Sequence, residues 1–128
     1  MLSDYPVFPI LLSTDMASSR AFYHDTLGLE IVGENEERFV LRCGGGTELL
    51  ISRSTTGTTD TQTQVAWRVP DLRAALVDLR ARGVRLEEYH APDPVTVDGI
   101  ADMGHSWAAW FTDPSRNVLS VIQPRPDG

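Results

Sequence analysis

Apolar residues along the chain alternate between two spacings, and the switches between them mark out the elements. In "PDLRAALVDLRARGVRLE", Leu72, Ala75, Leu76 and Leu79 recur at i, i+3, i+4 and i+7, the spacing of one buried helical face. Asp71 is placed to cap this helix and Gly83 to end it. An earlier stretch, "TDMASSRAFYHDTLGLEIV", has Thr14 or Asp15 as N-cap and Gly28 as terminator, which predicts a helix of about three turns. Short apolar runs precede each helix, "FPILLS" and "QVAWRV". Three strand-like runs follow each: "LEIVGE", "RFVLRC" and "ELLIS" after the first, "VRLEEY", "WAAWFT" and "VLSVI" after the second. Aligning Asp15-Met16 with Asp71-Leu72 brings Leu27-Gly28 within one residue of Arg82-Gly83. The chain therefore reads as an internal repeat, each half running strand, helix, strand, strand, strand.

A helix cannot bury its apolar stripe alone, so each half is expected to lay its helix on one face of its own sheet and to leave the other face for a cavity. This is an α+β pattern: one domain over residues 1–128, built of modules 5–53 and 63–124. The polar stretch "RSTTGTTDTQT" joins them, with residues 54–62 as the linker. The other long irregular stretch, "HAPDPVTVDGIADMGHS", keeps Val95, Val97, Ile100 and Met103, and a segment of that length over residues 90–106 is expected to act as a lid. Glu34-Asn35-Glu36-Glu37 reads as a solvated hairpin turn, and Gly44-Gly45-Gly46 as another turn.

Composition narrows the class. The 128 residues, 41% hydrophobic and 23% charged, suit a single domain with a real core. No run approaches the roughly 18 apolar residues of a membrane span, and the start lacks the pattern of a signal peptide, so a cytoplasmic protein that does not engage membranes is expected. The single cysteine, Cys43, excludes an intramolecular disulfide and a cysteine zinc knuckle, and reads as a packing residue. Eleven Lys and Arg against 18 Asp and Glu give a net charge of −7, which argues against nucleic acid as a partner and favours cationic or neutral ligands. No nucleophile elbow, phosphate-binding loop or activated serine stands out.

Three stretches, "STDMASSRAFYHDTLGLEIV", "VPDLRAALVDLRARGV" and "WFTDPSRNVLSVIQ", resemble the vicinal oxygen chelate superfamily of glyoxalase I, bleomycin-resistance proteins, extradiol dioxygenases and methylmalonyl-CoA epimerase. They span nearly the whole chain, and the most specific is Asp113-Pro114-Ser115-Arg116-Asn117 between two strands. The resemblance implies two βαβββ modules whose curved mixed sheets surround a central cleft, commonly in a homodimer. It also implies that metal-dependent members draw one ligand from the first and one from the last strand of each module. Carried over singly, those positions fall on Phe8, Glu48, Gln64 and Ser120. A phenyl ring cannot ligate and a serine hydroxyl is a poor donor for a divalent ion, so no metal and no other cofactor is expected. The three histidines do not repair the gap: His24 falls on the first helix, and His90 and His105 flank the irregular stretch.

Strand alternation groups Ile10 and Leu12 with Phe8, Ala66 and Arg68 with Gln64, and Val118 and Ile122 with Ser120. Trp110 is expected to point into the same cleft, with Trp107 at the loop junction closing one end, while Trp67 and Tyr23 are read as structural. Aromatic walls with a few polar groups describe a small-molecule site. The ligand-binding candidates are thus Phe8, Leu12, Glu48, Gln64, Arg68, Trp107, Trp110 and Ser120. The expected function is binding of a small organic molecule such as a drug, in the manner of the antibiotic-resistance members. The alternative is a glyoxalase-like lyase, isomerase or dioxygenase with an irregular metal set, or metal-free acid/base chemistry at Glu48 or His105.

Overall fold

The helix stop and start signals are obeyed in detail. The computed structural model describes residues 1–90 and 94–126. In it Asp15 caps α1 (Met16–Arg20), its carboxylate accepting from the Ser18 amide, and Asp71 caps α2 (Leu72–Ala81) in the same way through Ala74. Gly28 and Gly83 leave the two helical segments at φ +76° and +84°, a region that only glycine enters without strain. The first helix differs from its repeat by widening into a π-helical stretch over Ala21–Thr26. That stretch carries Tyr23, which is fully buried.

Each half of the chain forms its own mixed sheet. β1 (Ile10–Ser13), β2 (Glu30–Glu34), β3 (Arg38–Arg42) and β4 (Glu48–Arg53) order as β1-β4-β3-β2, with β1 parallel to β4. In the second half, β5 (Thr63–Arg68), β6 (Thr96–Val97), β7 (Ile100–Asp102), β8 (Ser106–Thr112) and β9 (Val118–Pro124) order as β5-β9-β8-β7-β6, with β5 parallel to β9. The helix-covered faces of both sheets join in one core. Leu11, Phe39, Leu41 and Ile51 of the first meet Phe111, Leu119 and Val121 of the second, with Leu72, Leu76 and Leu79 of α2 among them. Burying each such leucine contributes about 2 kcal/mol, so this shared core is what binds the halves together.

Two expectations are corrected. "VRLEEY" is not a strand: residues 84–90 run irregularly beside β8, touching it through the Glu87 amide and the Trp110 carbonyl. The place beside β8, fourth in the second sheet, is filled from the stretch read as irregular, where β6 and β7 form a hairpin. Its turn, Asp98-Gly99, has both residues at positive φ (53° and 82°), the twist-matched geometry of a two-residue hairpin. One oxygen of Glu88 accepts from the Thr96 hydroxyl and the Gly99 amide, tying the hairpin down and holding that carboxyl below its ordinary range. Residues 91–93, within the expected lid over 90–106, lie outside the described residues.

Candidate functional site

The turn singled out in the sequence is a clamp between the halves. Oδ1 of buried Asp113 accepts from the amides of Ser115 and Asn117, and its Oδ2 accepts from the Tyr23 hydroxyl and the Asn117 carboxamide. These bonds hold Arg116 at φ 71°. Asn117 also donates to the Leu12 carbonyl, and the Ser115 hydroxyl accepts from the Thr14 amide, so one five-residue turn is bonded to β1 and to the start of α1. Burial and the neighbouring Asp113 carboxylate push the Tyr23 hydroxyl far above its usual pKa, and it serves here as a permanent donor.

The sheet faces away from the helices differ sharply. On the second sheet, Ser120 lies opposite Trp110 in register and is completely buried, its hydroxyl donating to the Ala109 carbonyl at 2.8 Å. Trp110, 8% exposed, reaches across to donate its indole N–H to the Thr63 hydroxyl, and Tyr89 packs edge-on against it at 5.6 Å. Val118, Ala108 and Ala101 complete this small second core, with Ile122 packed on it. This face fills itself.

The same face of the first sheet is open. Ile10 pairs with Leu50 and Leu50 with Val40, forming an apolar row, while Leu12 pairs with Ser52 and Ser52 with Arg38. Ile10 is 54% exposed and Phe8, just before the strand, 52%. Glu48 opens β4 on this face, opposite Arg42, whose guanidinium is paired with Glu30 at 3.5 Å. Phe8, Arg38, Val40, Glu48 and Leu50 line a cavity of about 210 Å³. A larger one of about 470 Å³ lies between the halves, with Pro9, Thr47 and Glu48 on one side and Ala66, Trp67 and Arg68 on the other.

The structure thus brings Phe8 to Glu48, and Glu48 to Arg68, across shared cavities. It does not put Gln64 in their company as simple alternation required. A bulge between Thr63 and Val65 gives Thr63 the place opposite Val118. The Gln64 carboxamide is spent inside the clamp, accepting from the Val118 amide and donating to Asn117. Trp107 is the second residue of β8, next to the turn, but it lies on the helix-covered side, with the Arg125 guanidinium 4.4 Å above its ring. It lines a different cavity, of about 370 Å³, with Asp71, Ile100 and Gln123. His105 is exposed between β7 and β8, its ring paired with the Met103 carbonyl, and among the described residues no hydrogen bond joins it to Glu48. Leu50, Val40 and Tyr89 belong to the two faces and were missed, although alternation from Glu48 would have found the first.

The donor chemistry does not suit a divalent ion. Of the four positions, Phe8 has no donor atom, Ser120 is sealed beneath Trp110 with its hydroxyl in use, and both ends of the Gln64 amide are bonded. Glu48 is left as the one carboxylate, and among the described residues no group of three His, Cys, Asp or Glu gathers elsewhere.

The family profile of the Glyoxalase/Bleomycin resistance protein/Dioxygenase superfamily matches residues 7–121, and the chain belongs to this family. Solved structures share the fold at low identity. An antibiotic-binding protein, TnmS3 from Streptomyces sp. CB03234, is 20% identical, with a TM-score of 0.71 over 94% of this chain and 96% of that one. A bleomycin-binding protein complexed with bleomycin is 22% identical, with a TM-score of 0.70 over 94% and 99%. A lactoylglutathione lyase from Agrobacterium tumefaciens is 19% identical, with a TM-score of 0.65 over 93% and 92%. No curated protein matches the chain in sequence. In the described residues no helix is long and apolar enough to cross a membrane.

Proposed function

We propose that this protein binds a small organic molecule against the open face of its first sheet, with the metal position of its enzymatic relatives degenerate. The observation that carries the reading is the half-exposed Phe8 and Ile10 with the apolar Leu50 and Val40 beside an exposed carboxylate, Glu48. Aromatic and aliphatic surface next to a carboxylate suits a planar or cationic ligand. Structural relatives whose names record binding of bleomycin or another antibiotic support this direction. Within this reading Phe8, Leu12, Glu48 and Arg68 belong to the binding surface, and Trp110 and Ser120 lie outside it, in the packing of the second sheet.

The open face also supports a homodimer. Tyr5, Val7, Phe8 and Ile10 form a run of exposed apolar side chains that a second copy would cover, and covering it would turn an open face into a walled cleft. Sedimentation equilibrium is expected to give twice the mass of the chain. A tryptophan fluorescence titration with planar and cationic antibiotics tests the ligand, with saturable quenching expected; silence across a broad panel contradicts the reading. A near-stoichiometric divalent ion in protein purified without chelator would instead favour the lyase or dioxygenase alternative.

A further inference from the structure

The cavity of about 470 Å³ between the halves carries one charge on each of its facing walls. Glu48 stands on its first-sheet wall and Arg68 on its second-sheet wall, and both side chains belong to exposed residues. Among the described residues neither is within ion-pair distance of an opposite charge, nor of the other. Arg20, Arg42, Arg53, Arg82 and Arg125 are held by carboxylates, which leaves the Arg68 guanidinium available to a ligand. Arg42, which faces Glu48 across the ladder, is already held by Glu30.

Between the two charges the cavity is mostly neutral. Leu49, Val65, Ala66 and Trp67 line it, with Cys43, whose thiol is pushed up by burial and stays protonated. Opposite charges on facing walls that do not meet each other are solvated in the free protein and are available to a ligand that bridges them. A ligand with a single charge satisfies one wall and is repelled by the other, whereas one carrying both satisfies both. The guanidinium favours a carboxylate through paired N–H bonds, and the glutamate favours an ammonium.

We propose that the crevice between the halves binds a zwitterionic small molecule, with its ammonium at Glu48 and its carboxylate at Arg68. The inference rests on the small-molecule-binding reading and specifies the charge pattern of the ligand. Four probes that differ only in end groups isolate the effect: phenylalanylglycine, its amide, its N-acetyl derivative, and the N-acetyl amide, which is uncharged.

Isothermal titration at low salt is expected to show phenylalanylglycine binding at least about tenfold tighter than either singly charged form. Glu48→Gln is expected to erase its advantage over the N-acetyl derivative, weakening phenylalanylglycine while the N-acetyl derivative binds at least as tightly as before. Arg68→Gln is expected to erase its advantage over the amide. Both residues are exposed, so the melting temperatures of the variants report that the fold is intact. Equal binding of all four probes, no binding of any, or indifference to both substitutions overturns the inference. If the dipeptides fail while an uncharged antibiotic still quenches tryptophan fluorescence, the zwitterion falls and the binding reading stands. Silence of both sets sinks both.

Discussion

The two sheets are repeats of one design, yet their outward faces have opposite fates. The second covers itself with Trp110 and Tyr89 and is packed like an interior, while the first leaves Phe8, Ile10, Leu50 and Val40 to solvent. The same contrast holds for their polar groups. In the second module Ser120 and Gln64 are engaged in local bonds and Asp113 anchors the clamp to the first, whereas Glu48 of the first module has no ion-pair partner among the described residues. The two halves share one core and differ in the face turned away from it. Ser120, the position that the resemblance assigns to a metal-binding carboxylate in the second module, is part of the packing on the second sheet's face.

Truncating the filled face is the strongest way to break this contrast. Trp110→Ala is expected to cost about 3 to 5 kcal/mol in a urea titration, because a buried indole and its bond to Thr63 are both lost. Phe8→Ala, on the open face, is expected to cost less than about 1 kcal/mol when the titration is run at high dilution on dissociated chains. Comparable losses at the two sites would mean that the faces are not different in kind.

Restoring the missing carboxylate is the next test. Ser120→Glu places an ionisable group in a fully buried position under an indole, and it is expected to destabilise the protein by about 3 kcal/mol or more without creating a tight divalent site. A variant of near wild-type stability that binds zinc or manganese stoichiometrically would show that the metal position is only one substitution from function.

A smaller effect probes the clamp. The folded-state pKa of Tyr23 is raised, so its contribution is complete below the ordinary tyrosine value of about 10 and is lost as pH rises above it, when the unfolded chain ionises first. Stability is expected to fall above about pH 10, and Tyr23→Phe to flatten that fall at a cost near 1 kcal/mol at neutral pH from the lost bond to Asp113. Tyr89, also shifted upward by burial, keeps some slope in the variant. An alkaline limb unchanged in Tyr23→Phe would remove Tyr23 from the clamp.

Most of this fold was legible because its signals are local. Asp15 and Asp71 announce their helices, Gly28 and Gly83 end them, and the Asp113 to Asn117 turn carries its own hydrogen-bond acceptors. "VRLEEY" has a strand-like pattern, but its place in the sheet went to a hairpin whose Asp98-Gly99 turn signal was present in the sequence and unread. The bulge at Thr63 to Val65 leaves no mark in the sequence, and it reassigned Gln64 from cleft to clamp. Trp107 was recoverable: alternation from Trp110 puts residues 107, 109 and 111 on the helix-covered side. That Trp110 would close over Ser120, leaving the open surface on the first sheet alone, depends on contacts with Thr63 and Tyr89 that no local pattern encodes.

The central claim is that the open face of the first sheet is where a ligand binds. Backbone amide shifts followed by two-dimensional NMR during titration with bleomycin test it most directly. The expected result is saturable shifts concentrated at residues 8–12, 38–42 and 48–52, with those around Ala108 and Ser120 changing little. Saturable shifts confined to the second sheet, or none at millimolar bleomycin, would contradict it.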